Sequence, residues 1–251
     1  RAMLAVGALK DPGLLPKLAD VLAPGGQIRA DESDPVIVAA AWSVARMQAR
    51  EARPLLGKLL KSDAPSLRAL GAIGVGLLKD KHASAELAEI ARSVDVGALP
   101  RAAAAFALGE IGDTTQADAL SQLAESSDTG ARAAAVIALA RLGAAGAPRA
   151  ISEALVSGDP ALAQAASAAA LVNATGTYRA PRDALVVPEG RVDVRAVLDR
   201  LVPRGYSADE HAKALVKLAP TLGQAALSAA QSSPERARAV AEQERAEAEQ
   251  A

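Results

Sequence analysis

This sequence predicts an all-α solenoid of stacked helical hairpins, with a further helical region appended at its carboxyl end. Three observations carry the prediction. One stretch recurs five or six times at a spacing near thirty residues, its apolar residues fall at helical intervals, and its small residues keep fixed places in each copy. The clearest copy is RAAAAFALGEIGD at Arg101–Asp113, followed by TTQADALSQLAES. Beside it stand RAAAVIALARLGA from Arg132 and RALGAIGVGLLKD from Arg68, with looser copies around Met47 and Leu9. An aliphatic anchor near the end of each string gives Leu9, Met47, Leu78, Ile111, Leu142 and Val172, which are 38, 31, 33, 31 and 30 residues apart.

Each copy resolves into two helices. Three residues before the anchor stand Val6, Val44, Val75, Leu108, Leu139 and Ala169; five before stand Leu4, Trp42, Ile73, Phe106, Ile137 and Ser167, the bulkiest column. Two other columns stay small: Ala5, Ser43, Gly74, Ala107, Ala138 and Ala168, and Ala2, Ala40, Gly71, Ala104, Ala135 and Ala165. Small residues at fixed helical places allow helix backbones to approach closely. After the anchor, Leu18, Leu56, Leu87, Leu120 and Ile151 form an apolar column, and Val21, Leu59, Ile90, Leu123 and Ala154 follow three residues later. That spacing puts both sets on one helix face. Each hairpin then has an inner face that only a neighbouring hairpin covers.

Punctuation fits the same frame. Asp34-Pro35 and Asp159-Pro160 place a capping carboxylate before a proline at the first helical position, and Asp63, Asp95 and Asp128 hold similar places. Asp11, Asp80 and Asp113 fall between the helices as caps for the second one, with Asp113 and Gln116 spaced as a capping box. An alanine-rich first helix ending in LGEIGD resembles the HEAT-repeat family, specifically the phycobilisome-lyase-type HEAT-like repeats. The likeness covers about Arg1–Asn173. It implies an α-solenoid of HEAT-like hairpins in which the second helices line the concave surface.

In chain order, the repeat solenoid is expected over 1–174, about six repeats with the first one truncated. Arg1 lies eight residues before Leu9, whereas the capping Asp of later copies lies 13 to 16 before its anchor. The expectation is a cytoplasmic fragment of a larger protein, with any targeting segment in the missing part. Ala23–Asp34, carrying PGGQ and then Asp31, Glu32 and Asp34, reads as a solvated loop insertion. A sharper reading is a partner-contacting or cation-binding loop, although its carboxylates do not have EF-hand spacing. After Val172 the columns fail, with Arg179 and Arg182 where core leucines belong. An irregular connection is expected over 175–191, from Gly176, Pro181, Pro188 and Gly190. A divergent helical region follows over 192–232, with helices at 192–202, 208–218 and 222–231. Ser207 with Glu210 and Thr221 with Gln224 are its capping boxes, and the region reads as a hairpin that closes the array. The last segment, 233–251, is a charged helical tail or linker.

Composition narrows the function. Hydrophobic residues make up 51% of the chain, aromatics only 2%, and the net charge is −1. Alanine, the best helix former, dominates. The near-neutral balance and pI of about 6.2 argue against nucleic acid, which would select a basic, aromatic-lined face. No apolar run of membrane-spanning length appears, so membrane insertion is not expected. Without cysteine, disulfides and thiolate chemistry are excluded.

No catalytic, cofactor-binding or metal-binding residue is expected. His82 and His211 are far apart and belong to no motif. The metal-binding HEAT-like hydroxylases use His-Glu dipeptides, and neither histidine is followed by Glu. Gly74–Gly76 belongs to a helix and is no phosphate loop; Trp42 and Phe106 share an aliphatic column and read as core. Arg68, Arg101 and Arg132, ten before their anchors, read as a repeated structural contact to a nearby carboxylate or carbonyl. The outward face of the second helices is more informative. It carries Asp20, Lys58, Glu89, Gln122 and Glu153 at one position, with Lys61 and Arg92 nearby. A repetitive surface without convergent titratable groups suits a non-enzymatic scaffold for a protein or peptide partner, within a larger complex. The alternative implied by the resemblance is a bilin-lyase-like enzyme or chaperone acting on a tetrapyrrole-bearing protein.

Overall fold

A computed structural model of the chain describes residues 8–179, 192–202 and 207–219. The expected helix at 222–231, the Thr221–Gln224 box, the 233–251 tail and the column members Ala2, Leu4, Ala5, Val6 and Arg182 lie outside these residues. Among the described residues there are twelve α-helices and no strand. The first helices of the hairpins are α2 (Pro35–Met47), α4 (Pro65–Leu77), α6 (Ala98–Ile111), α8 (Thr129–Leu142) and α10 (Pro160–Thr175). The second helices are α1 (Leu15–Leu22), α3 (Arg53–Leu60), α5 (Ser84–Arg92), α7 (Ala117–Leu123) and α9 (Ala147–Leu155). Two more, α11 (Val194–Arg200) and α12 (Ala208–Leu218), follow the array.

First helices stack on first helices, α2 on α4, α4 on α6, α6 on α8 and α8 on α10, while each second helix packs beside the next first helix. The expected columns form this core. Leu18, Leu56, Leu87, Leu120 and Ile151 are 1% exposed or less, and Trp42, Val44, Ile73, Leu108 and Leu139 are equally buried or nearly so. Leu9 is the exception among the anchors at 69% exposed.

The small columns mark where backbones nearly touch. A Cβ on Gly74 would meet the Cα of Ala45 at 2.9 Å; on Gly76 it would meet the Cα of Ala107 at 2.6 Å; on Gly109 it would meet that of Ala138 at 3.2 Å. Successive first helices therefore interlock, with the residue two before one anchor against the residue four before the next. No larger side chain fits these contacts without parting the helices.

The turns explain how each hairpin closes. The residue after the anchor takes the left-handed conformation in five consecutive copies: Lys10, Gln48, Lys79, Gly112 and Gly143, with φ between 52° and 76°. This reversal ends the first helix. In four copies a short 3-10 turn follows, at Pro12–Leu14, Arg50–Ala52, Lys81–Ala83 and Thr114–Gln116. Asp11, Asp80 and Asp113 cap this turn, accepting from the amides of Gly13, His82 and Thr115 at 2.9, 3.2 and 3.1 Å. They do not cap the second helix itself, and the Asp113–Gln116 box does not form; Gln116 donates to the Thr115 hydroxyl instead.

Caps of the first helices are as expected for Asp34, Asp128 and Asp159. Asp63 and Asp95 do not cap: α4 has Ala64 at that place and α6 has Gly97, and both aspartates point into solvent. For α4 a substitute comes from the previous repeat. Glu32, in the long connection, accepts from the Ser66 amide at 2.9 Å, placing a carboxylate at the positive end of the helix. The acidic loop therefore ties repeats together: Lys58 holds its Gly26 carbonyl at 2.8 Å, and the Arg29 amide donates to the Leu22 carbonyl. The Ser33 hydroxyl, bonded to Asp31, holds that carboxyl below its ordinary pKa.

Helix α10 runs to Thr175, a turn past the anchor Val172, and ends on Gly176. Helix α12 packs beside α10, in the direction of the stack, and its Ser207–Glu210 capping box is formed in both directions. Helix α11 is shorter than the expected 192–202 and does not extend the array. It folds back against α6, with a further contact to α4.

Candidate partner-binding face

The second helices present the chain's repeated exposed column. Asp20 on α1, Lys58 on α3, Glu89 on α5 and Gln122 on α7 are exposed, as are Lys61 and Arg92; Glu153 on α9 is 42% exposed along its side chain. Their places follow from the buried columns on either side: each lies two residues after a fully buried leucine or isoleucine, which turns it away from the core. The seven positions thus share a face, but they are not equally free. Arg149 binds Glu153 at 2.7 Å and approaches Glu125 at 3.9 Å. The hydrogen bond and charge of Glu153, with Glu125 adding, raise the Arg149 pKa further. Arg92 lies 3.9 Å from Glu89, and Lys58 is bonded to the Gly26 carbonyl. Among the described residues, Asp20, Lys61 and Gln122 make no side-chain hydrogen bond or ion pair.

Beside Lys58 lies a feature that sequence reasoning missed. Between α1 and α3 an open groove of about 400 Å³ is lined by Pro12, Leu15, Pro16, Pro54 and Leu55, with Glu51 and Lys58 at its edge. Pro16 and Pro54 occupy the same position in successive repeats, the second residue of the second helix. That alignment was a visible signal. Proline is tolerated there because first-turn amides have no intrahelical acceptor, and both exposed rings add apolar surface.

Two of the three column arginines make the expected structural contact. Arg68 donates from Nε to the Ser62 carbonyl at 2.8 Å and Arg101 from Nε to the Ala91 carbonyl at 3.1 Å, each holding the end of the preceding second helix. Arg132 lies beside Asp159. His82 is exposed in its 3-10 turn, and His211 lies in the first turn of α12. Among the described residues, no group of three or more His, Asp or Glu is placed to hold a metal ion. No described helix is long and apolar enough to cross a membrane.

Comparison with known families agrees with this geometry. Residues 98–172, covering α6 to α10, match the family model described as HEAT repeats, and residues 36–62, covering α2 and α3, match that of the PBS lyase HEAT-like repeat. No curated protein matches the chain.

Proposed function

Because residues 36–62 and 98–172 match HEAT-repeat models, we propose that the chain serves as a non-enzymatic scaffold that docks a protein or peptide partner along the face of its second helices. The observation that carries the reading is the column of Asp20, Lys58, Glu89, Gln122 and Glu153. Five successive second helices present the same position to solvent, partly so at Glu153, and its chemistry changes from repeat to repeat while the buried columns on either side stay aliphatic. Charge that varies from repeat to repeat in this way selects one partner and rejects others more than it attracts a uniform polyanion. The proline-edged groove between α1 and α3 adds a place for an apolar anchor residue of the partner, the type of contact that dominates interface energetics.

The test reverses two charges in the full chain, Lys58→Glu together with Glu89→Lys. Capture of the partner from the protein's own cells should fall at least tenfold. Thermal stability should stay within about 0.5 kcal/mol, as for ordinary surface changes. Undiminished capture, together with its loss on changing Arg195 and Asp199 of α11, would overturn the assignment of the face.

A further inference from the structure

On the side of the array formed by the first helices, a semi-enclosed cavity of about 300 Å³ lies between α6, α8 and α10 and the folded-back α11. Its floor is alanine: Ala102 of α6, Ala133 and Ala134 of α8, Ala165 of α10. Phe106 and Ile137 form its walls, and Leu198, Leu201 and Val202 roof it. The space follows from this pairing of small residues with a short roof. Helix α11 bridges the alanine floor without filling it, whereas interiors elsewhere are close-packed.

The roof is held in place by a clasp. The Tyr178 hydroxyl donates to the Leu201 carbonyl, and the Tyr178 ring lies under Arg141, whose Cζ is 3.7 Å from the ring centroid. Arg141 also binds Glu110 at 2.8 Å, with both side chains largely buried. Next to it, Arg179 grips Glu210 of α12 through two bonds of 2.8 and 3.2 Å.

The polar groups around the cavity determine what it suits. Arg141 is matched by Glu110 and Tyr178. Asp128 caps α8 through the Ala131 amide at 2.7 Å, and the Thr129 hydroxyl donates to Asp159 at 2.9 Å. Arg195 and Asp199, at the mouth, are exposed and opposite in sign. A charged ligand would leave water without a free counter-charge inside, an arrangement that is strongly disfavoured. An apolar cavity of about 150 Å³ takes up benzene, so a space of about 300 Å³ suits a molecule of about two fused rings. We propose that this cavity is a binding site for a neutral, largely apolar small molecule of that size, distinct from the second-helix face.

Naphthalene is the probe, titrated into the full chain and followed by the methyl resonances of Ile137, Leu198 and Leu201. Saturable one-to-one shifts are expected at these methyls, with a negative heat-capacity change on binding. Ala133→Leu, which fills the floor, should weaken binding at least tenfold. Ala98→Leu, on the α6 side of the lining, gives the same readout should Ala133→Leu not fold. Ala19→Leu, in the groove between α1 and α3, should leave binding unchanged. The charged 2-naphthoate should bind at least tenfold more weakly than naphthalene. Absence of saturable shifts, or wild-type affinity in whichever filled variants fold, would overturn the site. Equal affinity for 2-naphthoate would overturn its assignment to neutral ligands.

Discussion

A methyl group on Gly76 would stand 2.6 Å from the Cα of Ala107, while one on Gly57 would meet nothing within 4 Å. Both glycines lie inside helices, where alanine is favoured by about 1 kcal/mol. At Gly57 in α3 that preference acts alone, so Gly57→Ala should raise the urea midpoint. At Gly76 the neighbouring atom is backbone and cannot swing aside; overpacking of this kind costs about 1–3 kcal/mol and exceeds the propensity gain. Gly76→Ala should therefore lower the midpoint. Equal shifts in the two variants would show that α4 and α6 separate without cost. Lys79 gives a third contrast. It is exposed with φ at 52°, where glycine lacks the Cβ penalty, so Lys79→Gly should stabilise by about 0.5–1 kcal/mol in the same assay.

At the scale of single helices, the apolar columns were legible because buried leucines recur at fixed helical intervals. The interlock was half legible. Ser43, Gly74, Ala107 and Ala138 stood out as a small column, but Ala45, Gly76 and Gly109 pack against their neighbours and were equally visible. Asp63 shows where local reading stops: its spacing is that of a cap, yet Glu32, from 34 residues upstream, bonds the amide of Ser66. A capping bond from another repeat leaves no short-range pattern. The same holds for α11: a helix was expected over 192–202, but nothing local in that stretch shows which surface it covers. The proposed partner column was legible as a pattern of exposure, whereas the proline groove beside it requires two repeats to be superposed.

Helix ends also set a pH dependence. The Thr115 hydroxyl bond lowers the pKa of Asp113, and the Leu162 amide and Thr129 hydroxyl lower that of Asp159. A carboxyl with a lower pKa in the folded state stabilises the fold above the unfolded value, about 3.9 for Asp. That stabilisation is lost as pH falls through the folded value. Melting temperature should therefore drop as pH is lowered below about 4. Asn is also a good cap, so Asp159→Asn should keep the cap while flattening that drop; an unchanged pH profile would remove Asp159 from the account.

Over the whole molecule, two features oppose each other. A solenoid's stability is a sum of repeat and nearest-neighbour terms, which allows one end to unfold before the other. Helix α11, however, crosses from α6 to α4 and ties non-adjacent parts of the chain. Trp42, the single tryptophan, is fully buried in α2 and reports on the amino-terminal repeats, whereas far-UV circular dichroism reports on every helix. In the wild type both probes should give one urea midpoint, the mark of two-state unfolding. Gly109→Val adds a branched side chain where even a Cβ stands 3.2 Å from the Ala138 Cα, so it weakens the α6–α8 contact without touching α2. If nearest-neighbour terms dominate, the dichroism transition should move to lower urea and broaden while the Trp42 midpoint stays near its wild-type value. The carboxyl-terminal repeats then unfold first. A Trp42 midpoint that falls in step with the dichroism would overturn this expectation and make the α11 crossing strong enough to unite the array. Short apolar contacts from a seven-residue helix are few beside the continuous interfaces of α2, α4, α6 and α8, and the separated transitions are the expected result.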